Sequence, residues 1–368
     1  MIRQRLIAHV VGARPNFMKA APTHRALKLA GLHQMVVHTG QHYDHLMSEI
    51  FFNQLEMPAP EVNLDVGSGS HSVQTALIMM RLEEAFAARR PDVVMAYGDV
   101  NSTLAAALVC AKLSIPVAHV EAGLRSFDRT MPEEINRVVT DQLAELLFTP
   151  SADGDENLLR EGVAAARIHR VGNVMIDTLV RLRPLAERDG CVENLGLRKG
   201  GYVLVTLHRP SNVDDPVIFE SLLRSLSEIA REVPIVFPIH PRSRSRMERL
   251  DIDKAGLSRI RFIDPVGYLA FLNLQINAAA LVTDSGGIQE ETTYLGIPCL
   301  TVRENTERPV TVSAGTNILV GSDGDQLRYE LERVLGGQRK QGTIPPLWDG
   351  RAAERIADML SQWFAAEM

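Results

Sequence analysis

Short apolar runs rich in β-branched residues alternate with longer helical stretches along the whole chain, and the alternation forms two successive series. Alternating strands and helices of this kind predict βαβ units and parallel sheets. Because one hydrophobic core rarely extends beyond about 250 to 300 residues, a chain of 368 residues predicts two domains. The predicted strands are 6–11, 35–39, 93–97, 117–120 and 147–149 in the first series, and 202–206, 235–239, 260–263, 280–283 and 299–302 in the second.

The segment between the two series is charged and contains Pro184 and Gly190, which predicts an interdomain helix and linker over 177–197. An N-terminal Rossmann-like domain then covers 1–176, and a C-terminal Rossmann-like domain covers 198–347. Apolar residues at helical spacing in 352–364 predict a last helix. We expect the segment 348–368 to pack back on the N-terminal domain.

Composition excludes several classes of function. With 39 basic and 45 acidic residues the net charge is −6, so no overall basic field is available to hold a nucleic acid. No stretch approaches the roughly 20 apolar residues of a membrane span. The three cysteines are widely spaced, without a CxxC pair, and indicate neither a disulfide framework nor a zinc site. The sequence therefore predicts a cytoplasmic protein with no membrane, metal or nucleic-acid partner.

The strongest local motif is LVTDSGGIQEE at 281–291, where a strand ends and a helix begins. Free N–H groups and the positive end of the helix dipole suit a phosphate, and Gly286 and Gly287 let a ligand approach the backbone. Ser285 and Gly286 are the candidate diphosphate contacts, and Glu291, about one and a half turns along the helix, would reach a ribose diol. The alternative is a plain turn followed by a solvated acidic pair.

The segment VVGARPNFMK at 10–19 is the matching strand-to-helix turn of the first domain. It lacks the full GxGxxG fingerprint of dinucleotide sites, so no nicotinamide cofactor is predicted. Arg14, placed in the loop, and Lys19, on the following helix, indicate an anionic ligand. The alternative for Arg14 is a solvated loop residue.

Three carboxylates follow predicted strands or begin a helix in the first domain. Asp99 and Glu121 each follow a strand, at the carboxyl-terminal edge where open α/β sheets bind ligands. Glu133 and Glu134 follow Pro132, a pattern that is equally typical of ordinary helix capping. Both readings of Glu133 stay open on the residues alone.

Two strand ends of the second domain deliver a histidine followed by arginine. These are His208 with Arg209, and His240 with Arg242. A single histidine after a strand is more often structural, but two in successive units indicate a shared site. Together with the segment 303–308, which ends in Arg308, they place cations on the edge expected to hold a diphosphate.

Taken together, these segments resemble the non-hydrolysing UDP-N-acetylglucosamine 2-epimerases. The resemblance implies an α/β fold of two Rossmann-like domains facing across a cleft, the glycosyltransferase-B architecture, and a homodimer that needs no cofactor. It spans residues 12–309 in the family's order. The matching segments are GARPNFMKAAP, HTGQHYD, YGDVNSTLAAAL, HVEAGLRS, MPEEINR, VGNVMIDTL, TLHRP, IHPR, TDSGGIQEE and RENTERP.

The family's reaction is a reversible inversion of carbon 2 that interconverts UDP-N-acetylglucosamine and UDP-N-acetylmannosamine, used in polysaccharide biosynthesis. UDP is eliminated to leave 2-acetamidoglucal and then adds back. The resemblance implies the following roles. The catalytic residues are Asp99, Glu121, Glu133 and His208; the UDP-sugar contacts are Arg14, Lys19, Arg209, His240, Phe271 (near uracil, in a loop at 265–271), Ser285, Gly286, Gly287, Glu291 and Arg308.

Four alternatives remain open. They are a glycosyltransferase of the same architecture, a hydrolysing 2-epimerase, a 2-epimerase of a UDP-diacetamido-uronic acid, and a non-catalytic sugar-nucleotide sensor. The stretch GQHYDHLMSEIFF also resembles the uronic-acid enzymes, whereas Gln289 and the segment 303–309 favour the N-acetylglucosamine subgroup.

The resemblance also bears on regulation, since several bacterial relatives bind a second UDP-N-acetylglucosamine as an activator. Gln41 and His42 match those enzymes and are candidate regulatory residues. Tyr43 and Asp44 replace the basic and amide residues usual there, and the segment 63–71 lacks an arginine. An acid facing a diphosphate repels it, so we expect weak or absent activation.

Overall fold

The computed structural model describes residues 5–40, 55–250 and 254–366. The chain divides into two compact units, Met1–Thr178 with Pro346–Met368, and Leu179–Pro345. Gln41, His42, Tyr43 and Asp44 lie outside the described residues, so the expectations on regulation remain predictions.

The first unit is built on a parallel sheet in the order β3-β2-β1-β4-β5-β6-β7. Its strands are β1 Leu6–Val11, β2 His33–His38, β3 Val62–Asn63, β4 Val93–Tyr97, β5 Val117–Val120, β6 Leu146–Thr149 and β7 Ile168–Arg170. The helices are α1 Arg14–Leu29, α2 His71–Ala88, α3 Asn101–Leu113, α4 Pro132–Leu143, α5 Ala152–Arg160 and α6 Val174–Ala186, the last of which crosses the division between the units.

The central strands β4 and β5 are buried along their whole length. Strands covered on both faces need near-continuous apolar sequence, and the run VVMAY of β4 provides it. One face of the sheet packs against Ile78, Leu82 and Phe86 of α2 and against the alanine-rich α3. Small side chains on α3 let it lie close to the sheet.

The second unit repeats the plan with a parallel sheet in the order β10-β9-β8-β11-β12-β13. Its strands are β8 Val203–Thr206, β9 Ile235–Pro238, β10 Ile260–Ile263, β11 Ala280–Thr283, β12 Cys299–Thr301 and β13 Asn317–Leu319. The helices are α7 Cys191–Asn194, α8 Pro210–Val213, α9 Pro216–Ile229, α10 Pro241–Met247, α11 Lys254–Leu257, α12 Tyr268–Ile276, α13 Gly286–Leu295, α14 Pro309–Ser313 and α15 Gly324–Leu335.

The C-terminal segment returns to the first unit as helix α16, Ala352–Ala366, which packs against α1. The buried Trp348 donates its indole N–H to the Pro150 carbonyl at 2.9 Å. Asp177 accepts the backbone N–H groups of Ala352 (3.1 Å) and Ala353 (2.7 Å), and so caps the start of α16.

The prediction of two Rossmann-like α/β domains with parallel sheets is confirmed. Three short edge strands, β3, β7 and β13, were not predicted, because each has only two or three residues. Within the described ranges, no helix combines the length and apolar character that crossing a membrane would need.

Candidate active site

Asp99 lies in the loop after β4, and buried side chains form hydrogen bonds with the backbone of that loop. Asn16 donates to the Tyr97 carbonyl at 2.7 Å, and Asn136 donates to the Asp99 carbonyl at 2.8 Å. Gly98, between them, has a φ of +64°, a conformation that favours glycine. The Asp99 carboxylate forms a 2.5 Å ion pair with Arg137 of α4. Asp99 is therefore fixed at the carboxyl end of β4, the edge that the sequence predicted.

Glu121 follows β5 in a strained backbone conformation with a φ of +75°. Such a conformation costs free energy in a residue other than glycine and is concentrated at functional sites. The side chain is 5% exposed and forms an ion pair with Lys19 of α1, which is 6% exposed. A Cβ on Gly98 would lie 2.6 Å from Lys19 Nζ and 3.0 Å from Glu121 Oε2, so the Asp99 loop adjoins this ion pair.

The structure separates the roles of Glu133 and Glu134. Glu134 is 2% exposed, and its carboxylate accepts the N–H groups of Ser126 (2.9 Å) and Phe127 (2.8 Å) and pairs with Arg137 (2.6 Å). Glu133 instead lines a cavity of about 340 Å³ together with Asp99. The structural role therefore belongs to Glu134, and Glu133 is available to a ligand.

The cavity is polar and lies wholly within the first unit. Asn101 donates to the Gln74 side chain at 2.8 Å, and His71 Nδ1 lies 3.2 Å from Asn101 Oδ1. Asn136 also donates to Asn101, at 3.3 Å, so the network continues to the Asp99 loop. The cavity lining is Ser68, Gly69, His71, Gln74, Asp99, Val100, Asn101, Glu133 and Asn136.

In the second unit, α13 begins at Gly286 directly after β11, with Ser285 as the residue before its first turn. Gly287 follows in that turn, so free backbone N–H groups stand at the carboxyl edge of the sheet. A Cβ on Gly286 would lie 2.3 Å from Arg308 Nη1, which shows how closely this guanidinium approaches the helix start.

Arg308 belongs to a buried cluster of ion pairs beside that helix start. Its Nε lies 2.8 Å from Glu290, and its Nη1 also pairs with Glu307. Glu307 pairs in addition with Arg303 at 2.8 Å, and Arg209 lies at the margin of the cluster. Burial and the neighbouring Arg209 and Arg308 lower the pKa of Arg303, against the opposing effect of Glu307.

His208 is held by a buried aspartate that the sequence did not single out. Its Nδ1 lies 2.7 Å from Asp284 Oδ1, and its backbone N–H donates to the same carboxylate at 2.9 Å. Burial alone would raise the pKa of Asp284, but the hydrogen bond and charge of His208 and the N–H groups of Arg209 and His208 outweigh it and lower that pKa. The Nε2 side of the exposed His208 ring is left for a ligand.

Two expectations about ligand contacts change in detail, those on Phe271 and Arg14. Phe271 lies in the first turn of α12, because that helix begins at Tyr268, and not in a loop as the sequence predicted. Arg14 is the first residue of α1, so its backbone is helical and not part of the preceding loop. His240 lies directly before α10, where its Nδ1 accepts the Arg242 N–H at 3.2 Å.

The remaining candidate, Glu291, is buried in α13 and accepts the Tyr268 hydroxyl at 2.8 Å. Sequence reasoning missed Arg137 and Asp284. Arg137 stands three and four residues after Glu134 and Glu133, a helical spacing that could have indicated it. In the described part of the chain, no cluster of histidine, cysteine, aspartate and glutamate is arranged to hold a metal ion.

Comparison with known proteins agrees with this geometry. The family described as UDP-N-acetylglucosamine 2-epimerase matches residues 25–361. The UDP-N-acetylglucosamine 2-epimerase of Methanocaldococcus jannaschii is 43% identical over 96% of this chain and 98% of its own. The UDP-2,3-diacetamido-2,3-dideoxy-D-glucuronate 2-epimerase of Pseudomonas aeruginosa is 42% identical over 97% of this chain and 99% of its own.

A solved structure extends the likeness to the fold. The crystal structure of the M. jannaschii enzyme in complex with UDP-GlcNAc and UDP superposes with a TM-score of 0.88, at 41% identity, and covers 97% of this chain and 99% of that one. The sequence match and the shared fold agree, and the chain belongs to the UDP-N-acetylglucosamine 2-epimerase family of isomerases.

Proposed function

We propose that this protein interconverts UDP-N-acetylglucosamine and UDP-N-acetylmannosamine by eliminating UDP and adding it back. The observation that carries the proposal is a set of three carboxylates in the first unit. Asp99 and Glu133 line one cavity, and Glu121, which has a strained backbone, is buried beside the Asp99 loop. The hydrogen on carbon 2 is barely acidic, so a positioned base and a proton donor are both needed.

The elimination places specific demands on these carboxylates. One of them removes the proton from carbon 2, and the electrons of that C–H bond form the double bond to carbon 1. The bond from carbon 1 to the diphosphate oxygen breaks, which gives 2-acetamidoglucal and UDP. Re-addition of UDP with protonation of carbon 2 on the opposite face completes the inversion. The set Asp99, Glu121 and Glu133 supplies this base and this acid.

The second unit holds the departing diphosphate in this proposal. The start of α13 provides backbone N–H groups, and Arg308 and Arg209 provide positive charge near them. Donors aimed at developing negative charge stabilise such a transition state. His208, oriented by Asp284, contacts the same diphosphate. Arg14, Lys19, His240, Phe271, Ser285, Gly286, Gly287 and Glu291 complete the proposed contacts to the UDP-sugar.

Proton NMR of the protein with UDP-N-acetylglucosamine tests the proposal. We expect the approach to an equilibrium of two UDP-sugars. Release of free N-acetylmannosamine with UDP would indicate a hydrolysing enzyme instead, and no reaction with this substrate would contradict the proposal.

A 2-epimerase of a UDP-diacetamido-uronic acid is the second candidate, because the P. aeruginosa relative with that name is nearly as similar as the M. jannaschii enzyme. In the sequence, Gln289 favoured the N-acetylglucosamine subgroup. The residue is buried and accepts hydrogen bonds from Thr306 and Asn317, so its contacts are structural ones within the second unit and do not distinguish the two substrates. Comparing kcat/KM for both sugar nucleotides in parallel decides between them. We expect the N-acetylglucosamine nucleotide to have the higher value.

No metal or nicotinamide takes part in the proposed reaction, because carboxylates and protein donors supply every proton and charge that it needs. Exhaustive chelation should leave turnover unchanged. Loss of activity that is restored by a divalent cation would contradict this part of the proposal.

We also propose a homodimer that acts in the cytoplasm. The support for the dimer is that α2 and α4 both pack against α3 and both expose apolar side chains: Val73, Met80, Ile135 and Leu143. Light scattering should give twice the monomer mass, and Met80→Glu should reduce it. The support for the cytoplasm is that all three cysteines are unpaired. Cell fractionation tests that location.

A further inference from the structure

His119 of β5 lies beneath the carboxylate loops and has two hydrogen-bond acceptors on its ring. The side chain is fully buried, with Nδ1 2.6 Å from Asp141 Oδ1 and Nε2 2.7 Å from the Gly98 carbonyl oxygen. A ring with a single proton would leave one lone pair facing an acceptor in a dry interior, which is costly. Two donors on the ring satisfy both contacts.

Asp141 of α4 has surroundings that favour its ionised form. Its second oxygen accepts the Gly123 N–H at 3.1 Å and lies 2.7 Å from Arg125 Nη1. Arg125 in turn pairs with Glu161, the residue after α5, at 2.7 Å.

A positive His119 forms an ion pair with Asp141, whose second oxygen pairs with Arg125, so each oxygen of the buried carboxylate then faces a cation. Glu161, which pairs with Arg125, has a side chain that is 28% exposed. The strand neighbours of His119, Ala96 and Leu147, are apolar and do not titrate. Other charged side chains close to this pair are Arg167, which donates to the Asp141 carbonyl at 3.3 Å, and Lys19 and Glu121, which pair with each other beside Gly98.

The His119–Asp141 pair also joins the two loops that carry carboxylates. His119 holds the carbonyl of Gly98, the residue before Asp99, and Asp141 holds the N–H of Gly123, two residues after Glu121. Gly98 and Gly123 both have positive φ, as does Glu121 itself. The pair therefore restrains both loops at the points where the backbone turns.

We propose that His119 is held as an imidazolium by Asp141 and the Gly98 carbonyl, and that this charged pair is a positioning unit that sets Asp99 against Glu121. The protonation state stands on geometry alone. The positioning role rests on the proposed function, since it concerns the carboxylates that act on carbon 2. His119 acts through Gly98 and Asp141 through Gly123, so neither is a catalytic residue in the strict sense.

Nitrogen NMR of protein labelled in the histidine rings tests the protonation state without any assay of activity. His9 serves as an internal control because it is equally buried, but its ring contacts the Tyr97 hydroxyl (2.6 Å) and Gln34 Oε1 (2.8 Å). Burial and the neighbouring His24 lower the pKa of His9 to about 3, so it is neutral near neutral pH.

We expect both ring nitrogens of His119 to carry protons near neutral pH, and only one in His9. The His119 signals are assigned by their loss in His119→Gln or, if that variant does not fold, by their shift in Asp141→Asn. An unprotonated nitrogen on His119 in the wild-type protein would overturn the proposal.

Kinetics test the positioning role. Asp141→Asn keeps the shape of the side chain but removes its charge, so kcat should fall by about 10- to 100-fold, the usual cost of a small misplacement of reacting groups. KM should change little. His119→Gln keeps a donor near the Gly98 carbonyl and should retain more activity than His119→Ala.

The matched control is His9→Gln, which perturbs an equally buried histidine of the same unit and should lower thermal stability while kcat per folded molecule is kept. Unchanged kcat in folded Asp141→Asn, or losses that merely follow the folded fraction, would overturn the positioning role. If the wild-type protein itself does not epimerise a UDP-sugar, the proposed function fails, while the NMR result on His119 still stands.

Discussion

The carboxyl-terminal edges of the two sheets are built alike but charged differently. In the first unit, β4 and β5 deliver Asp99 and Glu121, and the nearby cations Lys19 and Arg137 pair with them. In the second unit, the carboxylate of Asp284 is turned inward to hold His208, and the helix start and Arg308 face the edge. In the proposed reaction, the first sheet edge supplies acids for proton transfer, and the second supplies hydrogen-bond donors for the diphosphate.

The largest effect that this comparison predicts is a loss of turnover when the carboxylates at the first sheet edge are changed. Asp99→Asn and Glu133→Gln should each slow turnover by about 10² to 10⁴, because a positioned acid or base is worth that much. Isothermal calorimetry should show unchanged UDP affinity, since UDP is assigned to the second unit.

Glu134→Gln is the matched control for Glu133→Gln. It removes the charge from a buried group that holds Ser126, Phe127 and Arg137, so it should mainly lower thermal stability. If Asp99→Asn or Glu133→Gln abolished UDP binding, that residue would belong to the nucleotide site. The assignment of UDP to the second unit would then be wrong.

The next largest effect is a loss of UDP affinity when Arg308, at the second sheet edge, is changed. Arg308→Lys keeps the charge but loses the planar guanidinium beside Gly286, so UDP should bind about tenfold more weakly or worse. Arg328→Lys, an exposed arginine of the same unit paired with Glu228, should leave the affinity unchanged. Equal losses in both variants would show that the effect comes from stability and not from the phosphate site.

A smaller effect is expected on stability, from Asp284. Its pKa is lowered in the folded unit, so its stabilising contribution is present above the ordinary aspartate pKa of about 4 and is lost as the pH falls through the lowered value. Asp284→Asn should reduce the free energy of unfolding by about 1 to 3 kcal/mol near neutral pH. Denaturant titration should show the difference from wild type shrinking in acid. A constant difference at all pH values would contradict this account.

The smallest effect concerns activation by a second nucleotide. With Asp44 in place of an amide or basic residue, repulsion of a diphosphate by about 1 kcal/mol or more predicts weak or absent activation. UDP-N-acetylmannosamine alone should then be converted without a lag and with hyperbolic kinetics. A requirement for traces of UDP-N-acetylglucosamine would show that the first unit binds a second nucleotide despite its acids.

The central strands could be predicted from the sequence because parallel strands covered on both faces are apolar along nearly their whole length. Strands 6–11, 93–97, 117–120 and 280–283 agree with the structure to the residue. The buried face of α2 could not be predicted in the same way. The apolar Val73 and Met80 are both exposed, whereas the polar Gln74 is buried, where its amide N–H donates to the Gly67 carbonyl and its amide oxygen accepts from Asn101.

The sequence predicted several residues of the candidate site, but it did not predict which side chains pair with each other there. Strand ends identified Asp99, Glu121 and His208, because the edge of a parallel sheet follows from strand order. The ion pair of Lys19 with Glu121 joins residues 102 positions apart, and the hydrogen bonds of His208 with Asp284 join residues 76 positions apart. No local pattern specifies such pairs, since the first depends on how α1 lies relative to β5 within the first unit and the second on the pairing of β8 with β11 within the second unit.

Exchange at carbon 2 tests the central claim most directly, namely that the carboxylates of the first unit remove and return that proton. The protein is incubated with UDP-N-acetylglucosamine in deuterium oxide until the two UDP-sugars reach equilibrium, and carbon 2 is observed by NMR. Breaking the C–H bond and returning a proton from a solvent-exchangeable acid should place deuterium at carbon 2 of both sugars. Full equilibration with the original hydrogen still on carbon 2 would contradict the account.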